Sequence, residues 1–386
     1  MRIAMFSWES LHSISVGGVA VHVTELAAAL QRRGHEVHVF TRPSFGNGGW
    51  GLIDGVYYHF CPFDLHPDFV QEVNNMCRSF VQHFFETENV SGHFDVVHAH
   101  DWLSSNAAVW AKEERHKKMV MTVHSTEYGR CGNQFHNHTS AMIRDHERHG
   151  TFCANRVITV SHTLQKEISW MYEVPEQKVS TIYNGVHAAQ FDGWIHPKDI
   201  REQIGVGPLD PMALFVGRMS VQKGPDILVR AIPMVLHFHP GAKFVFVGDG
   251  AERSYCEHLA NQLGIEHAVR FLGYRNGNFL KNLFKSSDLV VVPSRNEPFG
   301  IVVLEAWSAG KPVVATHNGG PSEFVSHGIN GYKIYDHPES VAWGIGTMFA
   351  DFDHARTMGR NGRSTVESVF TWDKIAEHTE GVYHCI

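Results

Sequence analysis

The sequence lacks the features that mark disulfide-rich and membrane-spanning proteins. Its 386 residues include six cysteines at irregular spacing and without a CxxC pair, which argues against a disulfide framework and indicates a reducing compartment. No stretch approaches the about 20 apolar residues that a spanning helix needs. The apolar stretch at the start is too short for a signal peptide. We therefore predict a soluble, cytoplasmic protein.

The sequence also has no excess of basic residues. Its formal net charge is −7 at pH 7, from 33 Lys and Arg against 40 Asp and Glu. This balance argues against nucleic acid or an anionic membrane as an obligatory partner. Several cations fall within residues 102–119, but Glu113 and Glu114 dilute their charge. We interpret that segment as a solvated helix, and membrane association is the weaker alternative.

What the sequence does have is an alternation of short apolar runs with longer amphipathic segments. Residues 21–33 carry apolar side chains at helical spacing between two such runs. Strands that alternate with helices indicate parallel sheets covered on both faces. The predicted strands are residues 2–7, 36–41, 95–99, 119–124, 156–160 and 179–183 in the first half, and 212–216, 243–247, 269–272, 289–293 and 312–315 in the second.

The alternation is interrupted once, over residues 185–207, which hold glycine and proline and no long apolar run. We therefore predict an α/β protein of two Rossmann-like, doubly wound domains, residues 1–190 and 205–370, that face each other across a cleft. Residues 371–386 have the pattern of a final amphipathic helix. Ligands of such sheets bind outside the carboxyl ends of the strands.

Candidate site residues in the first half follow predicted strands. Gly17 and Gly18 stand just before a helix, where glycine lets backbone approach a ligand and the helix N-terminus favours an anion. A simple turn is the alternative, since neither this loop nor residues 248–250 match the full GxGxxG dinucleotide pattern. Asp101 and His124 also follow strands, and a structural role is the alternative for His124.

Metal ligands are not evident among the 29 scattered histidines. His98 and His100 share one face of a strand, but no third ligand stands at a recognisable spacing. Cys131, His136 and His138 form a loose group in a loop, and a fourth zinc ligand is missing. We therefore predict no metal site.

The second half carries two cations and two carboxylates at strand ends. Arg218 and Lys223, flanked by glycines, suit a diphosphate, because Arg supplies a planar fork and Lys a point charge. Glu297 lies in a later loop, and Glu305 lies inside the helix that begins near Gly300. The start of that helix offers N–H groups to phosphate, and Glu305 is placed to accept ribose hydroxyls. Solvated surface charges are the alternative for each residue taken alone.

Together these segments resemble the family 4 retaining glycosyltransferases, a group near the glycogen synthases, sucrose-phosphate synthases and trehalose-forming enzymes. The resemblance covers nearly the whole chain. Its pieces, in the family's order, are the VGG loop, HAHDW, TVHS, YNGV, GRMSVQKG, VGDG, EPFGIVVLE, HNGGPSEFV and a terminal FTW. GRMSVQKG together with EPFGIVVLE is the specific signal. The chain departs from the family at His187, where an aspartate is frequent.

The resemblance implies the GT-B fold and a donor site in which protein cations replace a divalent metal. Arg218 and Lys223 would neutralise the diphosphate of a nucleotide sugar, with Gly17 and Gly18 against it, and Glu305 would hold the ribose. The backbone that would bind sugar hydroxyls and phosphate is that of Phe299, Gly300, Ile301 and Val302. Neither a cofactor nor a metal is implied, and the final helix is expected to cross back onto the first domain.

The resemblance also implies three catalytic residues. Glu297 matches the family glutamate near the donor sugar, and His124 matches the histidine near the sugar's 6-hydroxyl and anomeric region. Asp101 matches an aspartate on the acceptor side. Without a clear nucleophile, front-face attack is favoured, and double displacement at Glu297 is the alternative.

We therefore predict transfer of a hexose, glucose by preference, from a nucleotide-diphosphate sugar such as UDP-glucose or ADP-glucose to a sugar, oligosaccharide or glucan. A trehalose synthase or phosphorylase with the same site, and a nucleotide-sugar 2-epimerase, are the alternatives. An inactive binding module is a further alternative, against which the intact Arg218, Lys223, Glu297 and Glu305 argue. The donor base, the acceptor and the oligomeric state are not set by the sequence.

Overall fold

The computed structural model describes residues 1–44, 48–135 and 137–386. The chain divides into two compact units. The first comprises Met1–Arg130, Gln134–Asn184 and Trp372–Ile386, and the second comprises Cys131–Asn133 and Gly185–Thr371. Each unit has its own sheet and its own apolar core.

The first unit is built on a sheet of eight strands within the described residues. They are β1 (Arg2–Phe6), β2 (Glu36–Thr41), β3 (Gly49–Ile53), β4 (Val56–Phe60), β5 (Val96–His100), β6 (Lys118–Val123), β7 (Arg156–Thr159) and β8 (Val179–Thr181). Their order is β3-β4-β2-β1-β5-β6-β7-β8, and all neighbours are parallel except the β3–β4 hairpin. The order reverses between β1 and β5, and such a switch point is where α/β sheets bind ligands.

Six helices of the first unit connect these strands. They are α1 (Gly18–Arg32), α2 (Phe69–Ser91), α3 (Trp102–Arg115), α4 (Glu127–Arg130), α5 (His138–Cys153) and α6 (His162–Tyr172). In α1 the apolar residues Val23, Leu26 and Leu30 recur at helical spacing and are fully buried in one core with Ile3 of β1. Burial of each such side chain contributes roughly 1.5–3 kcal/mol, which fixes α1 on the sheet beside the switch point.

The second unit repeats the architecture with six parallel strands in its described part. They are β9 (Met212–Val216), β10 (Lys243–Val247), β11 (Val269–Phe271), β12 (Leu289–Val292), β13 (Val313–Thr316) and β14 (Gly331–Ile334). Its helices are α7 (Pro197–Gln203), α8 (Pro225–Phe238), α9 (Arg253–Gln262), α10 (Gly277–Ser286), α11 (Ile301–Ser308), α12 (Pro321–Phe324), α13 (Pro338–Ala350) and α14 (Phe352–Val369). The strand order is β11-β10-β9-β12-β13-β14, so the switch point lies between β9 and β12.

The last helix, α15 (Trp372–His384), belongs to the first unit. Its Trp372 and Tyr383 are buried in the same core as α1. The Tyr383 hydroxyl lies 2.7 Å from Nδ1 of His98, and Arg32 of α1 forms an ion pair of 2.7 Å with Asp373. Helix α15 lies within residues 371–386, where the sequence predicts a final helix.

The predicted α/β class with parallel sheets is confirmed. Three short strands, β3, β4 and β14, were not predicted, and the predicted linker contains α7. The β3–β4 hairpin turns at Asp54 and Gly55, both with positive φ, and β3 is an edge strand whose Trp50 and Leu52 are exposed. No helix in the described ranges combines the length and the apolar character needed to cross a membrane.

Candidate functional site

The loop after β1 holds the first candidate pair, Gly17 and Gly18. Its backbone is fixed by a residue that sequence reasoning missed, Glu9, whose buried carboxylate accepts the N–H groups of Val16 and Gly17 at 2.5 and 2.9 Å. Gly18 is the first residue of α1, and no described side chain caps that helix. The loop is therefore held in shape, while the first turn of α1 still offers N–H groups to an anion.

Glu9 has a charge partner of its own. Burial raises the pKa of Glu9, and the two N–H groups and the charge of Arg42 oppose that rise. Arg42 donates from Nε to the carbonyl oxygen of Trp8 at 2.8 Å, and its guanidinium lies 3.4 Å from the Trp8 ring centroid. An acidic residue between a strand and a glycine pair was the available signal, because a loop carboxylate can bind nearby N–H groups.

Asp101 follows β5 directly and holds the loop that follows β6. It adopts φ 58°, a region that few residues other than glycine occupy. Its Oδ1 accepts the backbone N–H of His124 at 2.7 Å. Burial raises the pKa of Asp101 to about 6, against the opposing charge of Arg130 and the N–H groups of His124 and Ser125. The Asp101 carboxylate therefore positions His124 within the first unit.

His124 stands in a group of three imidazoles, which also contains His22 of α1 and His100 of β5. The ring centroid of His124 lies 4.5 Å from that of His22 and 5.5 Å from that of His100. His22 and His100 are buried, and His124 is partly exposed. Burial lowers the pKa of His124 to about 3 and places the pKa of the other two well below the usual value. The group is therefore neutral at physiological pH.

The predicted metal candidates are arranged differently from what their spacing suggested. His98 lies near His100, but its ring nitrogens are 2.7 Å from the Tyr383 hydroxyl and from Thr122 Oγ1. Within the described residues, the one group of three possible ligands combines His100 with His22 and His124. His136 lies outside the described residues.

Cys131 and His138 take part in no such group among the described residues. The histidine group escaped sequence reasoning because His22 lies on a helix, 78 residues before His100. His22 falls on the buried face of α1, a position that predicts packing and not a site. Only the fold shows that it lies near His100 and His124.

In the second unit, Lys223 and Glu297 form an ion pair beside the switch point. Lys223 follows β9, Glu297 follows β12, and Nζ lies 2.8 Å from each carboxylate oxygen. Ser294 donates its hydroxyl to Glu297 at 2.9 Å, and Glu297 is 4% exposed. Gly319 packs so closely that a Cβ there would lie 2.0 Å from the Glu297 carbonyl oxygen, which requires glycine. The pair is thus fixed by its surroundings.

Arg218 contrasts with Lys223. Its side chain is exposed and makes no hydrogen bond or ion pair with the described residues. Both cations sit in the segment between β9 and α8, at the carboxyl end of the central strand of the sheet. One cation is therefore held by a carboxylate, and the other is free to bind an anion.

Helix α11 begins next to this pair in sequence. Gly300 is its N-cap with φ 95°, and no described side chain caps the N–H groups of Ile301 and Val302. The side chain of Phe299 is buried against Phe324, so only its backbone faces the start of the helix. The helix start is therefore suited to bind an anion through backbone N–H groups.

Glu305 lies one turn further along α11. Burial raises the pKa of Glu305 to about 7, and the charge of Lys281 opposes the rise. No hydrogen bond to its carboxylate is found within residues 1–44, 48–135 and 137–386. A partly buried carboxylate without a partner can accept hydrogen bonds from a hydroxylated ligand.

Cations, a helix N-terminus without a side-chain cap and a carboxylate lie around the switch point of the second unit, an arrangement suited to an anionic ligand that carries hydroxyl groups. Two family models divide the chain: "Glycosyltransferase Family 4" matches residues 16–190 and "Glycosyl transferases group 1" matches residues 197–365. The architecture is that of the GT-B glycosyltransferases.

Relatives are similar over almost their full length. An uncharacterized glycosyltransferase of Methanocaldococcus jannaschii is 40% identical, over 99% of this chain and 98% of the relative. The glycogen synthase of Mycobacterium tuberculosis is 29% identical, over 99% and 94%. This protein therefore belongs to the family 4 glycosyltransferases, as the motifs predicted, and it is a transferase.

Solved structures share the fold. Sucrose-phosphate synthase from Thermosynechococcus elongatus superposes with a TM-score of 0.84 at 24% identity, over 99% of this chain and 98% of that chain. Anabaena HepE, solved in complex with UDP-glucose, superposes with a TM-score of 0.79 at 22% identity, over 100% of both chains.

Proposed function

We propose that this protein is a metal-independent, retaining glycosyltransferase that moves a hexose from a nucleoside-diphosphate sugar to a sugar or glucan acceptor. The observation that carries the proposal is the pairing of Lys223 with Glu297 beside the exposed Arg218. The negative charge of a donor diphosphate attracts both cations. The names of the glycogen synthase and sucrose-phosphate synthase relatives support glucose as the sugar.

Binding of the donor uses charges that the chain already holds. Arg218 meets the diphosphate with its planar fork, and Lys223 shares its charge between phosphate and Glu297. The N–H groups at the start of α11 and the dipole of that helix add to the same field. Glu305 accepts hydrogen bonds from the two ribose hydroxyls, one at each oxygen, and the ionised carboxylate accepts both far better than the protonated acid.

The chemistry then follows from fixed charge. The bond between the anomeric carbon and the donor phosphate breaks, and negative charge grows on the leaving phosphate. Arg218 and Lys223 stabilise that charge, which lowers the barrier. Glu297, released in part from Lys223, lies beside the cationic sugar ring. A divalent metal has no remaining task in this scheme.

Retention follows from front-face attack. The acceptor oxygen bonds to the anomeric carbon on the side from which the phosphate leaves, and its proton passes to a phosphate oxygen. The neutral His124 donates a hydrogen bond to the donor sugar, and Asp101 holds His124 in place. Glu297 as a nucleophile is the alternative, in which a covalent glycosyl-enzyme forms first.

A donor and acceptor panel tests the function. UDP-, ADP- and GDP-sugars are incubated with and without sugar and oligosaccharide acceptors, and nucleotide release is measured. We expect release from one donor type that rises with acceptor. Product formation from a sugar phosphate without nucleotide would favour a phosphorylase. Isomerisation of the donor without acceptor would favour an epimerase. No turnover with any donor would contradict the proposal.

Proton NMR of the fresh product tests the stereochemistry. An α-linked donor is expected to give an α-linked product, visible in the anomeric coupling before mutarotation. A β-linked product would require a base opposite the leaving group and would overturn the mechanism.

A further inference from the structure

The three imidazoles around His124 are a cluster that the transfer mechanism does not fully use. His22 comes from α1, His100 from β5 and His124 from the loop after β6, so the fold of the first unit alone brings them together. One ring nitrogen of each lies within 4.8 Å of one ring nitrogen of each of the others. Only His124 has an expected role at the donor sugar.

Hydrogen bonds fix the tautomer of His22. Its Nδ1 lies 2.6 Å from Oδ1 of Asn184. An amide oxygen only accepts, so Nδ1 carries the proton and Nε2 carries a bare lone pair. This Nε2 is buried and has no hydrogen-bond partner among the described residues. A histidine whose far nitrogen is fixed by an oxygen acceptor is the usual arrangement of a metal ligand.

His100 faces His124 through Nδ1, which is its candidate ligand atom. Its Nδ1 lies 3.2 Å from Nε2 of His124, and its own Nε2 is buried without a partner in the described part of the chain. Buried polar atoms are rarely left unpaired. His98, on the same strand, shows the contrast, since both of its ring nitrogens are within 2.7 Å of hydroxyl oxygens.

The geometry is close to that of a zinc site. Zn–N bonds of 2.0–2.1 Å place two tetrahedral ligands about 3.3 Å apart, and the His100–His124 separation is 3.2 Å. His22 must approach by at most about 1.5 Å to complete a three-imidazole set. Imidazole ligands favour Zn²⁺, Co²⁺, Ni²⁺ and Cu²⁺ over Mg²⁺. The partial exposure of His124 provides an entry path.

We propose that His22, His100 and His124 form a binding site for one divalent transition metal such as Zn²⁺, with a fourth position open to water. Metal bound there occupies His124 and inhibits the transferase. The inhibition rests on the proposed function, whereas metal binding does not. The site is thus inhibitory, and catalysis itself needs no metal.

Binding is tested on metal-free full-length protein. Titration with Co²⁺ is expected to give the intense visible absorption of a four-coordinate ion, at one equivalent per chain, and Zn²⁺ is expected to displace it. Zinc-edge X-ray absorption is expected to count three imidazole ligands without any mutation. A weak six-coordinate spectrum, or fewer than two imidazoles around zinc, would contradict the site.

Variants assign the ligands. His22→Gln and His100→Asn are each expected to weaken Zn²⁺ binding at least about tenfold, and Asn184→Ala, which frees His22, about tenfold. His98→Asn is the matched control, because His98 is as buried and lies on the same strand; its Zn²⁺ affinity is expected to stay unchanged. Equal affinity in all variants would place the metal elsewhere, and circular dichroism checks that each variant is folded.

Inhibition is measured as a fall in nucleotide release in the donor panel. With an active donor, Zn²⁺ is expected to inhibit the wild type, and EDTA to restore the rate; the Zn²⁺ concentration for half inhibition is expected to rise in His22→Gln. Active enzyme that binds Zn²⁺ without inhibition would refute the inhibitory role. Bound Zn²⁺ in a protein inactive with every donor would contradict the proposed function and leave the metal site standing.

Discussion

The polar candidate residues of the first unit differ from those of the second in their exposure to water and in their charge. In the first unit, burial shifts the carboxyl groups of Glu9 and Asp101 and the imidazoles of His22 and His124 toward their neutral forms. Each is held by a backbone or side-chain contact inside the unit. This unit is therefore organised by hydrogen bonds of fixed geometry.

The second unit presents an exposed cation and an ion pair, although burial shifts its Glu305 toward the neutral form. Arg218 is exposed, and Lys223 and Glu297 stay paired as ions at 2.8 Å. The first unit thus fixes its candidate residues as buried groups with shifted pKa values, whereas the second carries an exposed cation and an ion pair. Removal of charge is therefore expected to act on activity in the second unit, and on stability or on the geometry of the Gly17 loop in the first.

The largest effect is expected from Lys223→Ala. Loss of the cation removes a charge-assisted contact to the diphosphate and leaves Glu297 buried without its partner, so kcat/KM should fall about 100-fold. Lys198→Ala removes an exposed cation of the same unit and serves as control. Steady-state kinetics measures both. Unchanged efficiency in Lys223→Ala would mean that Lys223 is a structural residue only.

Asp101→Asn is expected to change stability with pH. A carboxyl whose folded pKa is raised to about 6 stabilises the fold fully below its unfolded pKa near 3.8, and this stability is lost as pH rises through about 6. Asparagine keeps the acceptor oxygen without the buried charge. The free energy of unfolding at pH 8 should therefore rise by about 3 kcal/mol over wild type, with no gain at pH 4.

Urea unfolding at the two pH values measures this difference. A variant that is less stable than the wild type at pH 8 would show that the charge on Asp101, through Arg130, is a net benefit.

Glu305 is expected to give the donor KM a pH dependence. With a pKa of about 7, the ionised fraction rises from about a tenth at pH 6 to about nine tenths at pH 8. Since the ionised carboxylate accepts the ribose hydroxyls far better than the protonated acid, KM for the donor should be about tenfold higher at pH 6 than at pH 8. Glu305→Gln should flatten the profile, and a dideoxyribose donor should do the same with the wild type. A profile that survives both changes would point to another group.

Glu9→Gln should have a smaller effect. The amide oxygen remains an acceptor for the loop N–H groups but lacks the charge of the carboxylate, so the Gly17 loop is held less firmly. We expect KM for the donor to rise about fivefold with kcat nearly unchanged. Glu86→Gln, on the exposed face of α2, is the control. A fall in kcat alone would separate Glu9 from donor binding.

The smallest effect is expected from a chelator. Because Arg218 and Lys223 supply the positive charge, EDTA should leave the rate of metal-free enzyme within about twofold, and Mg²⁺ should not raise it. Complete loss of activity with EDTA, restored by Mg²⁺ or Mn²⁺, would contradict a donor site whose positive charge comes from Arg218 and Lys223.

Much of the fold was predictable because apolar runs reveal strands that are buried on both faces. The predicted strand at 243–247 coincides with β10, which reads KFVFV. β3 escaped because an edge strand exposes Trp50 and Leu52 and has no apolar run. The Asp54–Gly55 dipeptide, which is typical of hairpin turns, was the sequence signal for this hairpin.

The site was predictable where motifs are local. Arg218, Lys223, Glu297 and Glu305 were found because they follow strands whose ends meet at one switch point, although their roles stay predictions. Contacts between distant segments were not predictable: His22 meets Asn184 across 162 residues. The proposed retention, metal independence and cellular location also stay predictions.

The place of α15 has a consequence for biosynthesis. Residues Trp372–Ile386 complete the first unit, yet they leave the ribosome only after the whole of the second unit. Until α15 is made, nothing from it covers the face of α1 that packs against Trp372 or the ring of His98 that contacts Tyr383. A nascent chain therefore carries an incomplete first unit while the whole of the second unit is made, and a stop codon before Trp372 would leave the first unit without its last helix.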